Sequence, residues 1–384
     1  MLSLNMRRAL VSAASAALAF SSVRAMEYEI TSCDDFADVD DQIATGLTIT
    51  SDEIACDTYT RFRVRNTMTV TAAVDTVTFK NFSLKVLGNL TVEPNVVFQD
   101  VEDAPTRGGA LYVQLDASAT FEGTAHFEDL SVAEQEIDGV YINKKGGAIH
   151  NKGYLVFEGD ASFIRCEERT IDSTNEGYGG GISNHKAGEI IFKGKLTMED
   201  NDADGFFEGE GGAINNRGMI TVEGEAYFRD NTAGQGGAIA QKNNGKIVFN
   251  SFATFFDNTL GRTTFDGGAI ANYGGDIEFN AGVLFEENGA DSSGEGGVGG
   301  GIYHTLGGVV TFVGSTTFRD NIAGWGGAIF HRVTKPPYID EDDWETPIIN
   351  YPEDLADLVF EDNRANLYCP DVATGFGEEY CVEF

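Results

Sequence analysis

Apolar residues in this chain fall two positions apart in short runs, and the runs recur. One run ends at a Phe two residues after Leu, Ile or Val: Leu155 and Phe157, Ile190 and Phe192, Ile247 and Phe249, Ile277 and Phe279, Val310 and Phe312. Six residues further stands another bulky side chain, Phe163, Met198, Phe255, Phe285 or Phe318, and the same gap joins Phe121 to Phe127 and Val222 to Phe228. Alternation at a period of two predicts strands buried on one face. Ahead of each run comes a glycine phrase in eight copies, among them Gly146-Gly147-Ala148-Ile149, Gly211-Gly212-Ala213-Ile214 and Gly326-Gly327-Ala328-Ile329. Behind it comes Phe-x-x-Asn.

The repeat therefore predicts three short strands: Gly-Ala-Ile-x-Asn, Ile-x-Phe-x-Gly and Ala-x-Phe-x-Asp-Asn. Periods of roughly 20 to 50 residues belong to solenoids, propellers or arrays. A propeller blade needs hairpins and a fourth strand. Three tiny strands with Gly or Asn turns predict instead an all-β, right-handed parallel β-helix whose coils stack about 4.8 Å apart. Residues 46–366 are assigned to it, with Phe79 and the pair Val92 and Phe98 marking degenerate early coils.

Asn201, Asn231, Asn258, Asn288, Asn321 and Asn363 close the third strand, usually with Asp just before. Asn tolerates the left-handed backbone of a tight turn and its amide can bond its counterparts, so an internal Asn ladder is expected. A row of metal or catalytic ligands is the competing reading. Repetition in every coil favours structure, and neither a metal site nor a cofactor is assigned. A second polar row, Asn151, Asn184, Asn216, Gln241, Asn272, His304 and His331, follows the first strand. Beside it Lys152, Lys186, Arg217, Lys242 and Arg332 predict a positive stripe able to bind a ligand, or else solvated charges balancing nearby carboxylates.

Repeat lengths vary between the third-strand Asn and the next Gly-Gly, so loops at 202–210, 259–266 and 289–298 should project from one edge. Insertions on one face of a solenoid are often its binding surface. Phe206 and Phe207 lie there. The largest insertion, 333–357, carries Tyr338, the acidic run Asp340-Glu341-Asp342-Asp343 and Trp344. It suits sugar stacking, or a calcium ion held on clustered carboxylates. The plainer reading is a surface excursion over the C-terminal end.

Residues 1–25 have the form of a secretory signal, with Arg7-Arg8, an apolar core from Ala9 to Phe20, and Val23-Arg24-Ala25 at the cleavage position. Residues 26–45 are expected to cap the first coil, with Phe36, Val39 and Ile43 at helical spacing as a short amphipathic helix. Among five cysteines, Cys33 with Cys56 and Cys369 with Cys381 read as disulfides clamping the two ends, the latter in a cap at 367–384, which leaves Cys166 free. Asn81-Phe82-Ser83 and Asn89-Leu90-Thr91 are glycosylation sequons in a eukaryotic host. The formal net charge is −35, which argues against nucleic acid or anionic lipid as a partner. No later stretch approaches the eighteen apolar residues of a transmembrane helix.

The alternation of GGA[ILV] with FxxN, as in Gly211 to Ile214 with Phe228 to Asn231, or Gly326 to Ile329 with Phe360 to Asn363, resembles the repeats of the chlamydial polymorphic outer membrane proteins. Secreted right-handed β-helix proteins of algae and other microbial eukaryotes carry similar repeats. The resemblance runs over about residues 98 to 366. It implies surface display and adhesion on a β-helical passenger. The chlamydial proteins end in a membrane β-barrel, whereas about twenty residues follow Asn363, so a secreted or wall-associated passenger without its own translocator is expected.

The fold also resembles that of pectate lyases, polygalacturonases and alginate epimerases. Their Asn-Thr-Asp, Gly-His-Gly, Arg-Ile-Lys and Asp-Pro-His-Asp segments have no counterpart here, and Asp342-Asp343 is the nearest approximation. The expected function is a non-enzymatic extracellular or cell-wall module for structure or adhesion, with a polysaccharide or cell-surface partner. A carbohydrate-active enzyme is the alternative.

Overall fold

The structure is a computed structural model. It describes residues 26–382 apart from 106, 134, 138–139, 143–144, 170–177, 205–208, 243–244, 262–265, 291–296, 334–344 and 375–380. The chain winds as a parallel β-helix. In one coil the strands are Ile214–Asn216, Met219–Val222, Ala226–Arg229 and Thr232–Ala233. Each lies in register on its counterpart in the next coil: Ile214 on Ile239, Ile220 on Ile247, Phe228 on Phe255, Thr232 on Thr259. The second strands alone form a parallel sheet of 12, from Met26–Ile30 to Ile348–Asn350.

The pattern of two places the Phe side chains inside, where successive coils stack them face to face. Phe228 and Phe255 have centroids 4.7 Å apart, and Phe255 and Phe285 4.8 Å. The second-strand Phe column meets this one edge-on, with Phe249 and Phe255 at 6.0 Å. Offset and T-shaped pairs are the favourable aromatic geometries, so the two columns interlock as well as exclude water.

The Gly-Gly phrase has a steric cause. Gly211 sits at φ 71°, and a Cβ on it would lie 2.0 Å from the Ile214 carbonyl oxygen. On Gly212 a Cβ would lie 2.3 Å from the Gly237 oxygen of the next coil. The first glycine thus serves the turn and the second the close approach of coils.

Four features differ from the sequence reading. A fourth short strand follows the ladder Asn in several coils, as at Asp202–Asp204, Thr232–Ala233, Thr259–Leu260 and Ile322–Trp325, and is reduced to single bridges at Gly289 after Asn288. It forms because the chain bends without leaving the sheet, and Thr232 N–H donates to the Asn201 carbonyl at 2.9 Å. The left-handed residue at that bend is the Asp, not the Asn: Asp200, Asp230 and Asp257 have φ of 54°, 54° and 51°. Asp outside tolerates this backbone, which leaves the Asn amide free to point inward.

The third difference is at the N-terminus, where no amphipathic α-helix forms. Cys33–Ala37 is a 3-10 turn. Asp35 caps it by accepting from the Thr31 and Ser32 N–H groups at 2.7 and 2.8 Å. Five aspartates between residues 34 and 41 favour caps and turns over helix. Met26–Ile30 already covers the first sheet edge by pairing with Ala44–Ile49, so only a short connection is needed. Phe36 still plugs the end, packing on Phe62 at 5.1 Å and Phe82 at 4.6 Å. The fourth difference follows: coil stacking starts at Met26 rather than near residue 46.

Cys33–Cys56 and Cys369–Cys381 are disulfides, one at each end, and Cys166 is a buried free thiol. Beyond the last full coil, Val372–Ala373 pairs with Ile329 and Phe330 in parallel and with Cys381–Val382 antiparallel.

Candidate functional site

Two polar rows run inside the helix. Each Asn of the first row donates its Nδ2 to the next Asn Oδ1: Asn201 to Asn231 at 2.9 Å, Asn231 to Asn258 at 2.9 Å, Asn288 to Asn321 at 2.9 Å, Asn321 to Asn363 at 3.0 Å. The other Nδ2 hydrogen goes back to a carbonyl of the preceding coil, such as Asn231 to Met198 at 3.0 Å. Cys166 occupies the place above Asn201, whose Oδ1 accepts its N–H at 3.0 Å. Burial pushes that thiol well above its ordinary pKa, which leaves it a poor nucleophile.

The second row is also interior. Asn151, Asn184, Asn216 and Gln241 are buried and linked at 2.9, 2.8 and 2.7 Å. Further on, Asn272 bonds His304 Nδ1 at 3.1 Å, and His304 stacks on His331 at 5.3 Å. Burial and the neighbouring His331 hold His304 down at about 3, as a neutral ring. Linked amides of this kind hold coils in register, although Gln241 Nε2 has no hydrogen-bond partner among the described residues.

The irregular chemistry lies on the opposite side of the first strands. Their middle residues, Tyr112, His150, Ser183, Asn215, Ala240, Ala271, Tyr303 and Phe330, form one outward row, in register. Next to it runs a row that the sequence analysis missed, the residue directly before each Gly-Gly: Arg107, Lys145, Tyr178, Glu210, Gln235, Asp266, Val298 and Trp325. Backbone bonds join this row without a break, from Gly108 N–H to the Lys145 carbonyl at 3.0 Å through to Gly299 N–H and Trp325 at 2.9 Å. The left-handed first glycine delivers each of these residues to the outer face. Their fixed offset from Gly-Gly is the sequence signal that could have found them.

Glu210 is the focus of the middle coils. It is 3% exposed and accepts from Asn215 Nδ2 at 2.7 Å, from Arg217 Nη2 at 3.2 Å and from Lys242 Nζ. Arg217 also lies over the Tyr178 ring, 4.8 Å from its centroid, and Lys242 lies 4.4 Å over Tyr273. One step along, Tyr273 donates its hydroxyl to Asp266 at 2.8 Å. Burial raises the Asp266 carboxyl to about 6 despite that bond and the charges of Arg332 and Lys242. Of the stripe expected from the sequence, Arg217 and Lys242 are therefore held by a carboxylate.

Lys152 and Lys186 differ: among the described residues neither has an ion-pair partner. Lys152 acts on His150, 1% exposed, whose two ring nitrogens have no hydrogen-bond partner among the described residues, and Lys186 acts on the neighbouring His185. The His150 ring is 5.4 Å from that of Tyr112. Burial first, then the charges of Arg107, Lys152, Lys145 and His185, push its pKa well below the ordinary value.

Phe206, Phe207, Tyr338 and Trp344, the aromatic candidates of the loops and the insertion, lie outside the described residues, as does the acidic run 340–343. Among the described residues no cluster of His, Cys, Asp and Glu suits a metal ion. Of the sequons, Asn89 is exposed at the start of the strand Asn89–Val92, whereas Asn81 is half-buried and donates its Nδ2 to the Cys56 carbonyl at 3.2 Å.

Residues 315–332 match the family model of the Chlamydia polymorphic membrane protein repeat. The match spans the third strand Thr316–Arg319, Asn321 and the last Gly-Gly phrase, the same two motifs that build every coil. No curated protein and no solved structure matches the chain. Among the described residues no helix is long and apolar enough to cross a membrane. Two end-clamping disulfides fit a place outside the reducing cytosol.

Proposed function

We propose that this chain is a surface-displayed or secreted β-helix whose task is recognition, with a polysaccharide of the cell surface or matrix as its partner. The observation that carries this reading is the division of polar chemistry. The Asn ladder is regular and satisfied and the second interior row is bonded along most of its length, with Gln241 Nε2 left without a partner among the described residues, whereas charge and aromatic rings gather on the outer face beside the loops of variable length. Large sets of aligned loops on a rigid solenoid are a common basis for binding. The family match at 315–332 supports display at a surface.

The test replaces the loops 202–210, 259–266 and 289–298 together by the short connection used between Asn231 and Gly236. The variant should keep its β-sheet circular dichroism and lose binding on a glycan array. Retained glycan binding by a folded variant would overturn the role given to the loop edge. A second reading, a carbohydrate-active enzyme, draws on Asp266, a buried acid poised at about 6 beside Tyr273. New reducing ends or unsaturated uronates from alginate, pectin or fucan would favour it.

A further inference from the structure

Thirty-five more acidic than basic charges make this protein a poor candidate for binding anions, yet its cations are unevenly placed. On the other faces they are paired: Arg165 with Glu128 and Asp129, Lys193 with Glu158, Arg319 with Glu286, Lys246 with Glu278. On the outer face of the early coils five are not. Among the described residues Arg61, Lys85, Arg107, Lys152 and Lys186 meet no carboxylate.

The Arg61 guanidinium spends its hydrogens on neutral acceptors, Ser83 Oγ at 3.0 Å and the Arg107 and Gly108 carbonyls at 2.9 and 2.7 Å. Lys85 Nζ lies over the Tyr112 ring at 5.4 Å, and Lys145 Nζ over Tyr178 at 3.5 Å. These cations press on one another in sequence. Arg61 and Arg63 act on Lys85, Arg107 on Lys152, and Lys152 and Lys186 on His185. In their midst the two ring nitrogens of His150 are buried and have no hydrogen-bond partner among the described residues.

We propose that this tract, from Arg61 to Lys186 with His150 at its centre, binds a linear polyanion, a polysaccharide bearing sulfate or carboxylate groups. The assignment rests on the recognition function proposed for the whole chain and names the ligand class for one part of the face. Successive coils repeat about every 4.8 Å, so the cations form a line along the axis rather than a single pocket. A line suits an extended chain with regularly spaced charges better than an isolated anion. The overall negative charge of the protein opposes bulk adsorption, which restricts binding to polymers able to follow the tract.

The test uses the full chain against immobilised fucoidan as the sulfated probe, polygalacturonate as the carboxylated one, neutral dextran as control and duplex DNA as a polyanion of another class. Binding to fucoidan or polygalacturonate, none to dextran and a linear fall of log affinity with log salt are expected; which of the two binds separates sulfate from carboxylate. Combined Arg107→Gln, Lys152→Gln and Lys186→Gln should weaken binding by about tenfold or more and flatten the salt slope. Lys246→Gln, on another face, should leave both unchanged. Wild-type affinity in the triple variant, equal binding to DNA, or failure to bind either polysaccharide would overturn the proposal. If the loop-shortened variant still binds the polyanion while the triple variant does not, the tract stands and the loop edge loses its role. If the triple variant binds and the loop-shortened one does not, the loop edge stands and the tract falls.

Discussion

The outer face divides into two stretches built on the same coil and solved by opposite electrostatics. In the early stretch Arg61, Lys85, Arg107, Lys152 and Lys186 stand without carboxylate partners among the described residues. From Glu210 to Arg332 the cations converge on two buried acids. Strand registers and Phe columns run through both, but the Asn ladder begins only at Asn201, and Val101, Leu130 and Cys166 hold its place in the first stretch. What changes is the residue before Gly-Gly, which is Arg107 and Lys145 in the first stretch and Glu210 and Asp266 in the second. That one position per coil decides whether neighbouring cations such as Arg217 and Lys242 meet a buried carboxylate.

The largest expected consequence is at Glu210. Its removal would leave Arg217 and Lys242 half-buried without the carboxylate that both contact, with only Asp266 acting on Lys242. Glu210→Ala should cost about 3 to 5 kcal/mol in denaturant titration, as for other buried pairs that lose one partner. A loss below about 1 kcal/mol would mean that water screens this network and that the two stretches do not differ as described.

The next contrast is in pH dependence, where the two stretches should respond in opposite senses. Asp266 is raised to about 6 in the folded chain against an ordinary 3.8, so ionisation is easier in the unfolded state. Its presence lowers stability as pH rises from about 4 to 6, and the penalty persists above. Asp266→Asn should remove it and stabilise the protein at pH 7 by about 2 to 3 kcal/mol, with no gain at pH 4. His150 is shifted below its ordinary 6.5, so here the unfolded state takes the proton first. Stability should fall as pH drops below 6.5, by at most about 1.4 kcal/mol per unit, and His150→Gln should lessen the slope. Melting curves of the two variants between pH 4 and 7 check both signs. Parallel curves would erase the contrast.

Much of the fold was legible because its cause is periodic. The six-residue gap from Phe249 to Phe255 fixes the turn between two columns, and Gly-Gly, like Gly218 and Gly224 at the other turns, marks a place where coils touch too closely for a side chain. The Asn ladder could be read for the same reason. The fourth strand could not, since Thr232–Ala233 is two residues long and carries no alternation of its own. The helical spacing of Phe36, Val39 and Ile43 misled because it recorded burial, which a 3-10 turn also satisfies at Phe36. In the site, Lys152, Lys186, Arg217 and Lys242 were visible as charges. Their division into paired and unpaired was not, because Glu210 lies seven residues before Arg217 and 32 before Lys242 and meets them only through coil stacking.

The smallest effect gives the most direct check on that division, because the same substitution is made on both sides. Lys242→Gln removes one of the two cations on Glu210 and the ring contact with Tyr273, so a buried carboxylate keeps only Arg217 and Asn215. A cost of about 1 to 2 kcal/mol is expected. Lys152→Gln removes a cation that burial and Arg107 both disfavour, and no carboxylate among the described residues loses a partner. Its stability should stay within about 0.5 kcal/mol of the wild type, as for ordinary surface changes. Side-by-side urea titrations distinguish the two, since the slopes should agree and only the Lys242→Gln midpoint should move. A shift of equal size at Lys152 would reveal a partner in the early stretch, and the contrast between the two faces would then be one of degree.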